Sequence, residues 1–144
     1  MSGYFDSAVI AKLYVQEATS PEAINLVQAD DAPYILTHWQ ELEVRNALRL
    51  KVYRGEITIE ELRESLGAFA EDIAAGRWQR PDYELANVHD LAEQLSAVHA
   101  ADLGCRTLDI LHVAAAVVVG AKEFVTFDSR QRALAKKAGL KARP

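Results

Sequence analysis

The sequence predicts an α/β fold: a single domain over residues 1–144, with a small central parallel sheet flanked by helices. Three observations predict it. Short apolar runs alternate with helical patterns along the chain, the signature of βαβ units. The helical patterns take up most of the length, so the sheet must be small. A strand enclosed by helices reads as an unbroken apolar run rather than a strict alternation, as Phe124-Val125-Thr126-Phe127 does. A length of 144 residues suits one core, and no Gly/Ser- or Pro-rich linker or solenoid repeat divides it.

Taken in order, Gly3-Tyr4-Phe5 leads into Asp6-Ser7, and residues 8–15 read as helix. Ser20-Pro21 predicts a helix start, with Ser20 as N-cap and Pro in the first turn, running to about residue 29. Asp30 to Pro33 reads as a turn and 34–36 as a short strand. Thr37 caps a helix to about Tyr53, closed by Gly55. Thr58 with Glu61 forms a capping box for a helix ending near Gly76. Residues 78–81 read as a connector, followed by a helix from Asp82 or Tyr83 to near Gly104. Thr107 caps a helix over 108–119 that is apolar nearly all round, and Gly120 stops it. Residues 123–127 form a strand, Asp128-Ser129 opens the last helix, Gly139 closes it, and 140–142 suit a final short strand.

Half the residues are hydrophobic and 26% charged, which argues for a folded core rather than disorder. No apolar stretch is long enough for a membrane span. The N-terminal residues lack a basic segment followed by an apolar run, so a cytoplasmic location is expected. One cysteine, Cys105, excludes an internal disulfide framework and a cysteine-based zinc site. The net charge of −5 is unlike that of a nonspecific nucleic-acid binder. Two local basic groups stand out, Arg45/Arg49/Lys51/Arg54 and Arg130/Arg132/Lys136/Lys137. Each suits either a solvated helix face or a phosphate-binding patch.

Four acidic residues are the candidates for chemistry. Tyr4-Phe5-Asp6-Ser7 and Thr126-Phe127-Asp128-Ser129 each place an Asp where a strand ends and a helix begins. Ligands of open α/β sheets bind outside the carboxyl ends of the strands. Both Asp side chains also suit N-caps, and the two roles are compatible because a carboxylate has two oxygens. Asp109 is the only acid in an apolar helix, where it needs a cation, an Arg106 pair or the helix dipole to offset desolvation. Glu43 shares a helix face with Trp39, Asn46, Ala47 and Leu50, which suits either a ligand or a helix edge. Carboxylates that converge raise one another's pKa, and a hard divalent ion, Mg²⁺ or Mn²⁺, relieves this. Such ions serve phosphoryl chemistry. His112, one turn from Asp109, suits a hydrogen bond to it or a place in the core, in a supporting role. Trp39 and Trp78 suit core or interface anchors.

These segments resemble PIN-domain ribonucleases, and most closely the VapC toxins of toxin–antitoxin pairs. The matching residues are Tyr4-Phe5-Asp6-Ser7 through Lys12-Leu13-Tyr14, then Glu43-Val44-Arg45-Asn46-Ala47-Leu48. Thr107-Leu108-Asp109-Ile110-Leu111-His112-Val113-Ala114-Ala115-Ala116 follows, then Phe124 to Asp128 and Ala138-Gly139-Leu140. The ordered set covers essentially the whole chain. The resemblance implies Mg²⁺ or Mn²⁺ held by Asp6, Glu43, Asp109 and Asp128, endonucleolytic cleavage of RNA, a homodimer, and inhibition by a VapB-type antitoxin. Asp6 and Asp109 would be the principal ligands, Glu43 would bind directly or through water, and Asp128 would orient the attacking water. Arg45, Arg49 and Arg130 are candidates for phosphate contact. The rival expectations are a stand-alone PIN-like nuclease, another metal-dependent phosphohydrolase, or a catalytically weak partner-binding module. Ala8 departs from the pattern, since many relatives carry a small hydroxyl residue there.

Overall fold

The computed structural model describes residues 3–144. In chain order the elements are β1 (Tyr4–Phe5), α1 (Ser7–Ala11), α2 (Ser20–Gln28), β2 (Tyr34–Ile35), α3 (His38–Tyr53) and α4 (Ile59–Ala74). They continue with β3 (Trp78–Gln79), α5 (Leu85–Leu103), α6 (Thr107–Val118), β4 (Glu123–Val125), α7 (Ser129–Lys137) and β5 (Lys141–Arg143). Among the described residues, all strand pairing is parallel. β1, β4 and β5 form one sheet in the order β1-β4-β5, and β2 and β3 form a second, two-stranded one. β2 lies beside β1. The expected parallel α/β architecture is therefore present, with its sheet in two pieces rather than one.

Strands of two or three residues cannot hold a sheet by their ladders, where each hydrogen bond nets about 1 kcal/mol. Side-chain burial does more, at roughly 2–3 kcal/mol for each enclosed aromatic or large aliphatic side chain. Successive strand residues point to opposite faces. Tyr4 and Phe124 enter one core with α5, α6 and α7, whereas Phe5 and Val125 enter a second core with α1 to α4. Tyr4 stacks on Phe124 at 5.4 Å, and Phe5 meets Tyr34 and Trp78 edge-on. Both faces are covered, which is why these strands read as continuous apolar runs.

Helix ends follow local chemistry. Thr37 accepts from Gln40 N–H at 3.2 Å while Gln40 Oε1 accepts from Thr37 N–H at 2.7 Å, and Thr58 with Glu61 repeats the motif. Gly55 and Gly104 follow α3 and α5 at φ +73° and +66°, where a side chain would be strained. Five expectations need correction. α1 stops at Ala11 rather than near residue 15, because Leu13 N–H and Tyr14 N–H turn back to Ile10 O and Ala11 O. Tyr14 is also pinned at its hydroxyl by Asp72 and Trp78. Ser20 is not the cap of α2; Thr19 precedes the helix, and Ser20 Oγ donates to Val15 O at 2.8 Å. Thr107 is the first residue of α6 rather than its cap, and α5 starts only at Leu85. Trp78–Gln79 is a strand, not a connector: Trp78 pairs with Tyr34, and their rings pack at 5.1 Å.

Candidate active site

Parallel pairing puts the carboxyl ends of β1 and β4 side by side, so the chain leaves both strands at the same rim. Asp6 follows β1, and its N–H donates to Val125 O at 2.9 Å. Its carbonyl receives Val9 and Ile10, yet its side chain makes no cap bond to α1. The Asp6 carboxylate instead accepts from Thr126 Oγ1 at 3.2 Å. Asp6 is therefore a cap in its backbone only, and its side chain faces the rim.

Glu43 reaches this rim from α3. The buried face of α3 carries Gln40, Glu41, Val44 and Leu48, so Glu43 stands at its edge with its side chain 32% exposed. Gln40 fixes the helix against β1, since its Nε2 donates to Phe5 O at 2.6 Å. Ser7 Oγ donates to Glu43 Oε1 at 3.0 Å, and His112 Nε2 contacts the same oxygen. The hydroxyl that reaches Glu43 is that of Ser7. His112 is buried in α6, bonded to Glu43 and not to Asp109, and its Nδ1 lies 2.7 Å from Tyr4 Oη.

Burial pushes the Asp6 carboxyl above its ordinary value; His112 and Thr126 oppose this, and the charges of Glu43 and Asp109 reinforce it. Burial alone would also raise Glu43, but the hydrogen bond and charge of His112, with the Ser7 bond, hold it below its usual value. Tyr4 is kept neutral, its pKa raised well above 10 chiefly by burial.

Asp109 acts on Asp6 through its charge, and both Asp109 and Asp128 turn toward their own helices. Asp109 Oδ2 accepts from Arg106 N–H at 3.3 Å and lies 3.6 Å from the exposed Arg106 guanidinium. Asp128 Oδ1 caps α7, accepting from Arg130 N–H at 2.8 Å and Gln131 N–H at 3.1 Å. The Cys105 thiol is raised by burial and then by the charges of Asp109 and Asp128. Thr126 ties the rim together: Asp128 N–H donates to its Oγ1 at 3.0 Å, and Gln131 Oε1 lies 2.9 Å away. Among the described residues, no three acidic, histidine or cysteine side chains are arranged as placed to hold a metal ion.

Of the candidate phosphate contacts, Arg49 and Arg130 are exposed. Arg45 is committed to Glu41 at 2.7 Å and lies over the Phe69 ring. Glu41, only 7% exposed, also receives Arg80 at 2.6 Å. This separates it from Glu43: one glutamate braces α3, the other faces the rim. Burial raises the Glu41 carboxyl, but Arg80 and Arg45 more than offset this and hold it below its ordinary value. Its stabilisation is therefore present above the unfolded value and lost as pH falls through the lowered folded one. Glu41→Gln should cost about 1 kcal/mol at neutral pH, because both Arg partners are partly solvated, and the deficit should vanish in acid. Urea melts at several pH values would check this, and a constant deficit would show that packing rather than charge was lost.

Sequence reasoning missed Thr126, Ser7 and Gln40 as partners of the site. Thr126 and Ser7 adjoin the two Asp motifs, the one signal that pointed to them. No family model matches this chain, and no curated protein matches it.

Proposed function

We propose that this chain is a Mg²⁺- or Mn²⁺-dependent endoribonuclease of the PIN-domain type, acting as the toxin of a VapBC-like pair. The observation that carries the reading is the bond from Ser7, next to Asp6 at the carboxyl end of β1, to Glu43, with the charges of Glu43 and Asp109 both raising the Asp6 carboxyl. Buried negative charge of this kind, built from oxygen donors, suits a hard divalent cation. Asp6, Glu43, Asp109 and Asp128 would hold it. Freeing Asp109 and Asp128 from their helix starts costs about 1 kcal/mol each, little beside the attraction of a divalent ion for four carboxylates.

When bound, the ion supplies a lowered water pKa and charge neutralisation at the phosphate. The chain's own residues do the rest. Ser7 and His112 hold Glu43, Thr126 holds Asp6, and exposed Arg49 and Arg130 offer charge to the RNA backbone. A VapB-type antitoxin, a homodimer and a cytoplasmic location belong to the same proposal. Leu42 and Tyr53, 64% and 88% exposed on α3, are surfaces such partners would cover. Among the described residues no helix is long and apolar enough to cross a membrane.

A partner-binding module with a silent site is the second reading, favoured by the engagement of Asp109 and Asp128 as helix-start ligands. Antitoxin-free protein offered single-stranded RNA, DNA and a phosphomonoester with Mn²⁺ separates these. Cleavage of RNA alone is the expected result. Turnover of the monoester would make it another phosphohydrolase, and no turnover together with no Mn²⁺ binding would favour the module.

A further inference from the structure

His112 sits in a helix segment otherwise built of Leu, Ile, Val and Ala, and it is 2% exposed. Leucine would fill that space without desolvating a polar ring, so packing alone does not explain it. Both ring nitrogens are spoken for. Nδ1 meets Tyr4 Oη at 2.7 Å, and Nε2 meets Glu43 Oε1. A carboxylate only accepts, so Nε2 must carry the hydrogen. The neighbouring contacts are compatible with this. Thr37 Oγ1 accepts from Gln40 N–H and lies 3.3 Å from Tyr4 Oη, within reach for its own proton. With Nδ1 engaged by Tyr4 Oη, the ring presents Nε2–H to Glu43. Ser7 Oγ adds a second donor to the same oxygen. Both bonds fall on Oε1, which leaves Oε2 for a ligand.

We propose that His112 is a positioning residue: Tyr4 orients its ring, and the ring fixes the Glu43 carboxylate at Oε1 so that Oε2 is presented to a divalent cation. This rests on the acidic-site reading above. It assigns His112 no contact with substrate and no proton transfer. Partners of this kind fix a ligand before the ion arrives, and their loss costs about 10–100-fold in metal affinity.

The test is Mn²⁺ affinity, read as free-ion signal by electron paramagnetic resonance, for wild type, His112→Leu, His112→Gln and Tyr4→Phe. Circular dichroism checks that each is folded. Wild type should bind. His112→Leu should lose about tenfold or more. His112→Gln, whose amide can donate to Oε1, should recover most of that loss, and Tyr4→Phe should fall between. A His-to-Gln rescue is not expected of a core filler, for which Leu is the better substitute. Long-range ¹H–¹⁵N spectra of wild type should show the hydrogen on Nε2. Should His112→Leu not fold, the Gln and Phe variants and the spectrum carry the test. Affinity equal to wild type in the folded His112 variants, or a hydrogen on Nδ1 alone, overturns the positioning role and leaves the acidic site standing. Wild type that binds no Mn²⁺ overturns both.

Discussion

Asp6→Asn should abolish metal-dependent cleavage while making the metal-free protein more stable. The two effects share a cause. The Asp6 carboxyl is raised by burial and by the charges of Glu43 and Asp109. A carboxyl raised in the folded state costs stability as pH climbs from its unfolded value to its folded one, and the full cost persists above that. Asparagine keeps the shape and still accepts from Thr126 Oγ1, but carries no charge. The metal-free variant should therefore melt above wild type at neutral pH, with the gap closing as pH falls toward the ordinary carboxylate range. Added Mn²⁺ should reverse the order by stabilising wild type alone. Cleavage should fall by about a thousandfold or more, the scale expected when several kcal/mol of charge stabilisation are lost. Thermal melts with and without metal, beside an RNA cleavage assay, would check both arms. A less stable metal-free variant would contradict the buried-charge argument.

Thr126→Val should be the most damaging conservative change near the site. Thr126 is fully buried, and its one hydroxyl serves Asp6, Asp128 N–H and Gln131. It has a single proton to give. With the Gln131 amide turned so that its NH₂ donates to Thr126, that proton goes to Asp6, and Nε2 gains the partner it otherwise lacks among the described residues. Valine keeps the volume and removes the hub, leaving a buried amide and a backbone N–H unpaired. The expected loss is about 3 kcal/mol, or roughly 10 °C in melting temperature. Mn²⁺ affinity should fall with it, because Asp6 loses the bond that orients it. Thr126→Ser, which keeps the hydroxyl, should retain most of the affinity. Denaturant melts and Mn²⁺ titration would measure the two, and a valine variant as stable as wild type would remove Thr126 from the account.

What could be read from the chain divides along physical lines. Elements announced by local chemistry were legible: the Thr37 and Thr58 boxes, the glycines after α3 and α5, and the Asp128 cap. Elements held by distant packing were not. Trp78–Gln79 is a strand because Trp78 lies against Tyr34 and Phe5, and α1 is short because Tyr14 is tied to Asp72 and Trp78. The site divides in the same way. Four acids could be singled out by type, Asp6, Asp109 and Asp128 by their place at strand and helix ends and Glu43 by its helix face. Their partners could not, because each bond joins remote segments: His112 and Glu43 are 69 positions apart, and Thr126 and Asp6 are 120 apart. Periodicity also put Glu43 on an apolar stripe, whereas the buried face of α3 belongs to Glu41 and its neighbours, and Glu43 lies at the edge. That edge position lets it reach both Ser7 and solvent.

The proposed cutting of RNA by these acids through a divalent ion is tested most directly by cleavage of single-stranded RNA by antitoxin-free wild-type protein in Mn²⁺ and in EDTA, beside Asp109→Asn. Asp109 is chosen because its present partners, Arg106 N–H and an exposed guanidinium, give the fold little to lose. Endonucleolytic products in Mn²⁺, absent in EDTA and in the folded variant, are the predicted result. Cleavage that persists in EDTA and in Asp109→Asn would contradict it.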